Sequence, residues 1–327
     1  MKKTVIILSV TVIFSIIVFG LLYNHKTYIN LPFETQETIN NNNYSDLNSI
    51  DYAYGKFAFL KNNLFNTKLT ILNAEHKSKN LYGIKSPFRI YKDIILYLSD
   101  SDLTAKNIDN GKNTIVANDV KHFLIFEDKI LYCTKSNSLL YIQKIYGNQK
   151  EVLFSGVEKF YIYNENVFVI DKENLLTEIS LKDFTKNQIA KLEIQGYPFE
   201  IMVQNRNLII LDSTNQFDIL NLDTKNTISF SMSEKSYDNN KTVFICDDDM
   251  FYYSFQATEM NGSIVKNIRD TNNGLWSVNL TTLEKEQIVK ETFNELYLYD
   301  ENMLIGLKDN CIYRIDTINK NYEKLVD

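Results

Sequence analysis

Histidine is nearly missing from these 327 residues: His25, His76 and His122 are the only three, and the first two lie in polar stretches. A Ser-His-acid triad or a histidine-held metal needs such groups to converge on one point, and nothing in the chain brings these together. Cysteine is as sparse. Cys133, Cys246 and Cys311 form an odd set without CxxC spacing, which excludes a disulfide framework and a thiolate zinc site and leaves buried free thiols. No GxSxG, HExxH, phosphate-binding loop or GxGxxG occurs. Catalytic residues, metal ligands and cofactors are accordingly expected to be none.

Basic clusters are absent too, since no run of Lys and Arg exceeds two residues. The formal charge is −6, and omitting residues 1–23 leaves 33 basic and 41 acidic residues, or −8. That sign disfavours nucleic acid as a partner, and none is expected, because phosphate contacts want a basic face. Glycine (10) and proline (3) are too few to make many turns. Asparagine is expected to take the left-handed turn positions in their place.

What is present begins with Thr4 to Tyr23, an uncharged apolar run long enough to cross a bilayer as a helix. Lys2 and Lys3 precede it, which places the amino end in the cytoplasm. The run ends in bulky residues, Phe19-Gly20-Leu21-Leu22-Tyr23, without a small-residue cleavage site. Residues 1–23 therefore read as an uncleaved single-pass anchor in the cell membrane. Residues 24–46, which end in an Asn tract, read as a polar tether. Residues 47–327 are expected outside the cytoplasm.

That remainder repeats one pattern, written most plainly from Glu158 to Leu192. An alternating apolar run is followed by a short polar turn, a second run, a third run and a weak fourth one. Counted at the first turn, copies begin at Gly55, Lys92, Glu127, Asn164, Gln204, Asp247 and Asp300, with spacings of 37, 35, 37, 40, 43 and 53. Third runs follow six of these turns, from Leu69–Ile71 to Ile312–Ile315. Weak fourth runs are read at Glu151–Phe154 and Lys191–Ile194. Four short antiparallel strands at this period are the size of one β-propeller blade. The fold class is thus all-β, a propeller of seven four-stranded blades over 47–327, with six or eight the alternatives, preceded by one transmembrane helix.

Met250-Phe251-Tyr252-Tyr253-Ser254 followed by Gly274-Leu275-Trp276-Ser277-Val278-Asn279-Leu280 resembles the IYYS…LYRINLDG repeat of bacterial β-propeller domains related to YWTD propellers. The resemblance covers roughly 47–326 and implies the propeller fold. The Asp-Gly that usually ends the third strand is replaced here by Asn-Thr-Thr, Asp-Thr or Asp-Phe, and no functional residue carries over.

Asp247-Asp248-Asp249 is the densest acidic group, but it fills a hairpin turn and reads as solvated rather than as a calcium loop. The sixth copy is the irregular one. Its surplus falls between second and third strands, from Met260 to Gly274, and carries Lys266, Arg269 and Asp270, with the only tryptophan, Trp276, just beyond. Arg and Trp are enriched at interface hot spots, and long loops carry function. The expected function is non-catalytic binding or scaffolding of a protein, peptide or cell-envelope glycan through Lys266, Arg269, Asp270 and Trp276. The alternative is an envelope hydrolase or lyase using acids at the propeller mouth.

Overall fold

Runs that are apolar on both faces are satisfied only when sheet stacks on sheet, and the computed structural model of this chain stacks seven. It describes residues 50–326, except 63–66, 74–76, 164, 193–199, 205, 212–215, 233–238, 248, 262–263, 301 and 310. The expected anchor, 1–23, and tether, 24–46, lie outside the described residues. Among the described residues no helix is long and apolar enough to cross a membrane.

Blade 1 comprises β1 (Ile50–Ala53), β2 (Lys56–Asn62), β3 (Thr67–Asn73) and β4 (Ser78–Tyr82). Blade 2 is β5 (Phe88–Tyr91), β6 (Ile94–Ser99), β7 (Asp102–Asn107) and β8 (Asn113–Ala117). Blade 3 is β9 (Val120–Phe126), β10 (Lys129–Thr134), β11 (Leu139–Lys144) and β12 (Lys150–Ser155). Blade 4 is β13 (Val157–Tyr163), β14 (Asn166–Asp171), β15 (Leu175–Ser180) and β16 (Lys186–Lys191). Blade 5 is β17 (Glu200–Gln204), β18 (Asn207–Leu211), β19 (Gln216–Asn221) and β20 (Thr227–Ser231). Blade 6 has five strands, β21 (Asn239–Cys246), β22 (Met250–Asn261), β23 (Ile264–Asn267), β24 (Gly274–Asn279) and β25 (Lys285–Val289). Blade 7 is β26 (Glu295–Asp300), β27 (Met303–Lys308), β28 (Cys311–Asp316) and β29 (Asn321–Val326).

Strand order follows chain order in every sheet, apart from β23, which pairs β22 outside the main path. The first hairpin turns fall where the alternation predicts them, with Tyr91 opposite Ile94 and Tyr163 opposite Asn166. Two fourth-strand and third-strand readings differ. The outer strand of blade 4 is β16, Lys186–Lys191, not Lys191–Ile194, whose last two residues lie outside the described set. Blade 2 also has a third strand, β7, which the apolar pattern misses because only Leu103 and Thr104 of it are buried.

The core lies between blades rather than within one. Separate buried clusters join blades 1 and 2 (Leu69, Ile84, Phe88), blades 2 and 3 (Leu96, Leu103, Ile130), and blades 3 and 4 (Leu131, Val157, Val167). The largest runs through blades 4 to 7 and holds the rings of Phe217, Phe244, Phe251 and Tyr253. Phe217 meets Phe251 edge-on with centroids 4.6 Å apart and Phe244 at 5.0 Å. A last cluster joins Tyr297, Ile305 and Leu325 of blade 7 to Ile50, Phe57 and Leu72 of blade 1, so the circle closes.

Closure uses no shared strand: blade 1 is wholly amino-terminal and blade 7 wholly carboxy-terminal. Side chains tie the two instead. The Ile50 amide donates to the Tyr297 hydroxyl at 3.3 Å, and that hydroxyl donates to the Glu295 carboxylate. Burial first, and the Glu295 charge second, hold the Tyr297 phenol well above its ordinary range, while Arg89, 4% exposed on β5, pulls the other way. The next junction repeats the device, as the Ile90 amide donates to Asp51 Oδ2 at 2.6 Å.

A common turn explains how so few glycines suffice. In blades 2, 5, 6 and 7 the third strand ends in Asn107, Asn221, Asn279 or Asp316. Its side-chain Oδ1 accepts the backbone amides two and three residues on, at 2.8–3.0 Å. This is the self-capped Asx geometry. The residue four positions on takes a left-handed φ: Gly111 (70°), Lys225 (63°), Leu283 (59°) and Lys320 (52°). Asparagine is therefore the capping residue and seldom the left-handed one. Of twelve non-glycine residues with positive φ among the described ones, only Asn174 is asparagine.

Candidate functional site

In a blade of four antiparallel strands, the turns after the first and third strands share one end of the ring, here the turn end. Turns after the second strand share the opposite, link end with the blade-to-blade connections. The irregular stretch of blade 6 leaves from the link end, as its position in the repeat requires. It is more ordered than a loop. After Phe255, which pairs Gly274, β22 runs on to Asn261 and β23 folds back along it, with Thr258 opposite Asn267 and Glu259 opposite Lys266. The surplus is thus a hairpin extension of the sheet, beginning before Met260.

Its return to the blade is built from amide groups. Asn273 receives the Ala257 amide on Oδ1 (2.8 Å) and donates from Nδ2 to the Ile268 carbonyl (2.7 Å). Gln256 donates to the Ala257 and Ile268 carbonyls at 2.9 and 3.1 Å, and Gln287 donates to the Asn273 carbonyl at 3.0 Å. Gly274 leaves this knot with φ 138°.

The four residues singled out from the sequence divide into two pairs. Asp270 and Trp276 are half-buried and hold the segment: Asp270 Oδ1 accepts from the Asn272 amide and side chain at 2.9 Å, and Trp276 Nε1 donates to the Asn272 carbonyl at 2.8 Å. Lys285 lies over the Trp276 ring, 4.6 Å from its centroid, and over Tyr253 at 5.3 Å. Burial lowers its ammonium pKa. Lys266 and Arg269 are exposed, and among the described residues neither side chain has a hydrogen-bond or ion-pair partner. The structure thus gives a supported arm carrying two free cations.

The turn end carries a group that the sequence pattern did not single out. Tyr54 closes the first turn of blade 1, Tyr91 ends β5, and Tyr146 lies in the turn after β11. Their rings meet in a row, with centroids 5.5 Å apart from Tyr54 to Tyr91 and 6.0 Å from Tyr91 to Tyr146. Tyr91 is buried, while Tyr54 is 42% and Tyr146 68% exposed. Tyr146 donates its hydroxyl to Asp93 Oδ1 at 3.1 Å, and Asn107 donates to Asp93 Oδ2 at 3.1 Å. Lys92 sits 5.1 Å from the Tyr91 centroid, and Lys56 donates to the Lys92 carbonyl at 2.8 Å. Partial burial, reinforced by the bond to Asp93, pushes the Tyr146 phenol up to about 12. Tyr54 and Tyr91 look like framework aromatics in the repeat. The available signal was Tyr146, an exposed aromatic where the corresponding turns of blades 2, 4, 5, 6 and 7 place Asp109, Lys182, Asp223, Thr281 and Ile318.

Other candidates resolve into structure. His122 packs its ring on Phe160 at 4.8 Å. In the acidic turn, Asp249 pairs with Arg206 at 3.4 Å and Asp248 lies outside the described residues. Cys133 and Cys246 are buried, and burial pushes the Cys133 thiol up to about 11.

Seven sheets in chain order, packed face to face and closed on themselves, make this a seven-bladed β-propeller. No protein-family profile and no curated protein matches the chain in sequence. Similar solved structures include two of the extracellular domain of BT4673 from B. thetaiotaomicron, described in one as a one component system and in the other as a hybrid two component system. These are 13% and 14% identical with TM-scores of 0.54, and the match covers 82% and 87% of this chain. This chain spans about two fifths of that domain's length, 40% and 41%. The WD40 domain of Neurospora crassa Pan2 is 9% identical with a TM-score of 0.50, over 72% of this chain and 75% of that one. At such identities the likeness is one of fold.

Proposed function

We propose that the chain is a non-catalytic binding module, held at the cell membrane by residues 1–23 and presenting its propeller outside the cytoplasm on the 24–46 tether. Its contact element is the blade 6 extension, with Lys266 and Arg269 as the groups that touch the partner and Asp270 and Trp276 as the groups that hold them out. The observation that carries this is an arm fixed by a network of amide hydrogen bonds whose exposed cations have no partner among the described residues. A surface guanidinium held on a rigid support fits a carboxylate or phosphate, so the partner is an anionic peptide or protein segment, or an acidic envelope glycan. Supporting the location are the apolar run at Thr4–Tyr23 and the extracellular position of the BT4673 domain of like fold. The resemblance to the IYYS…LYRINLDG propellers belongs with this reading.

The test is photocrosslinking in cells from position 266 of the full-length protein, followed by identification of the adduct. A defined adduct that disappears in Arg269→Ala, with the melting temperature unchanged, is the expected result. An adduct pattern indifferent to Lys266→Ala and Arg269→Ala would remove this arm as the site. Point changes are preferable to deleting Asn261–Asn273, which would also remove the carbonyl that holds Trp276.

A further inference from the structure

The opposite end of the ring raises a separate question, since the two tyrosines left exposed there, Tyr54 and Tyr146, have a cost in water that the fold does not require. We propose that Tyr54, Tyr91 and Tyr146, with Asp93 and Lys92 at their edge, form a platform for the pyranose rings of a neutral glycan.

Three observations converge on that ligand. The exposed rings of Tyr54 and Tyr146, from blades 1 and 3, both pack on the buried Tyr91, edge-on at 5.5 Å and 84° and tilted at 6.0 Å and 54°, so two rings rather than one isolated side chain are held at this end. A sugar ring presents an apolar C–H face suited to stacking on such a surface, with hydroxyls around its rim that both donate and accept. The platform's rim supplies both functions. Asp93 is fixed by Tyr146 and Asn107, and a carboxylate keeps further acceptor sites after two such bonds. Lys92 supplies exposed ammonium donors beside Tyr91. Two acids, Asp93 and Asp128, face two bases, Lys92 and Lys56, so the rim has no net charge, which points to a neutral glycan rather than an acidic one.

Area argues against a protein as the occupant. Taking ~200 Å² for a whole tyrosine side chain, the exposed parts of Tyr54 and Tyr146 amount to about 200 Å². A stable protein interface covers about 800 Å² on each partner. The platform also has little to reorganise, because Tyr91 is buried beneath the row and Tyr146 is pinned through its hydroxyl. Preorganised groups of this kind lose less entropy on binding.

The experiment is calorimetric titration of the full chain in lipid nanodiscs, free of sugar-headed detergent, with oligosaccharides of glucose, N-acetylglucosamine, mannose and xylose as probes. At least one probe is expected to bind. Tyr54→Ala and Tyr146→Ala should each weaken it about ten-fold, the order of one stacked aromatic contact, and the double variant should abolish it. Tyr54→Phe should bind as the parent does, and Arg269→Ala should leave sugar binding untouched, separating this site from the blade 6 arm. Each alanine change also removes a ring contact with Tyr91, and Tyr146→Ala the bond to Asp93, so binding is compared well below the melting temperature of every variant. Absence of binding to all four probes overturns the proposal. So does sugar binding that survives the double variant, or a protein crosslink lost in the double variant while no sugar binds.

Discussion

Replacing Gly274 by alanine should destabilise blade 6 far more than the same change at Gly156, and the difference can be worked from the structure. Gly156 has φ 75°, and a Cβ built there meets nothing within 4 Å. Its alanine variant bears only the left-handed penalty, ~1 kcal/mol or a little more, partly offset by a stiffer unfolded chain. The twelve non-glycine residues with φ of 52–63° show that this fold accommodates such penalties repeatedly. Gly274 differs in kind. Its φ of 138° lies far from those values, and strain in so rarely populated a region costs about 1–3 kcal/mol. A Cβ there would also stand 2.5 Å from the Val289 carbonyl oxygen and 2.8 Å from Gln287 Nε2. The first atom is backbone of β25, so relief requires parting the β24–β25 ladder at its bulge beside Leu275. The second can move only by losing its bond to Asn273. Overpacking of this sort adds roughly 1–3 kcal/mol, which with the strain makes about 2–6 kcal/mol. Urea unfolding followed by two probes provides the assay. Fluorescence of Trp276, the only tryptophan, reports on blade 6, and far-ultraviolet dichroism reports on all seven sheets. The midpoint of Gly274→Ala should fall well below that of Gly156→Ala, most of all by fluorescence. If the two variants unfold together, the close approach at Gly274 is not what positions the arm.

Phe217, fully buried among Phe230, Phe244, Phe251 and Tyr253, should cost about 3–5 kcal/mol when changed to alanine, read by the same unfolding curves. In thiol labelling at neutral pH, the partly exposed Cys311 should react first. Cys133, buried with its pKa near 11, and the buried Cys246 should react only once urea unfolds the chain; equal rates for all three in the native state would contradict their placement. Alkali should act through the phenols. Tyr132, Tyr252 and Tyr297 have folded-state values raised from 10.0, chiefly by burial. The folded chain therefore holds their protons more tightly, so this stability is complete below about pH 10 and is lost as the pH rises beyond it. Phenolate absorbance should appear later in the native protein than in urea, and its appearance should coincide with loss of the dichroism signal.

Much of the propeller is legible in the chain because a blade is local. Neighbouring strands are sequence neighbours, so alternation and turn residues suffice to place pairs such as Tyr91 opposite Ile94. Legibility fails where a strand is half exposed. The outer strand β16 has no buried residue and hence no alternation, and β7 buries only Leu103 and Thr104. The blade 6 surplus shows in the spacing, but its fold as a hairpin depends on β22 continuing past Phe255, which no composition signal marks.

Between blades the decision passes to packing. Lys266 and Arg269 could be named from their loop, whereas the support that holds them out is a set of amide bonds from Gln256, Asn273 and Gln287 on three different strands and links. Tyr146 reaches Asp93 across 53 positions of sequence, and Tyr297 reaches Ile50 across 247. Alternating side chains set each blade, because hydrogen bonding between adjacent strands needs only nearby residues. The ring, its closure without a shared strand, and the row of tyrosines at its turn end were settled by how seven such sheets bury one another's faces.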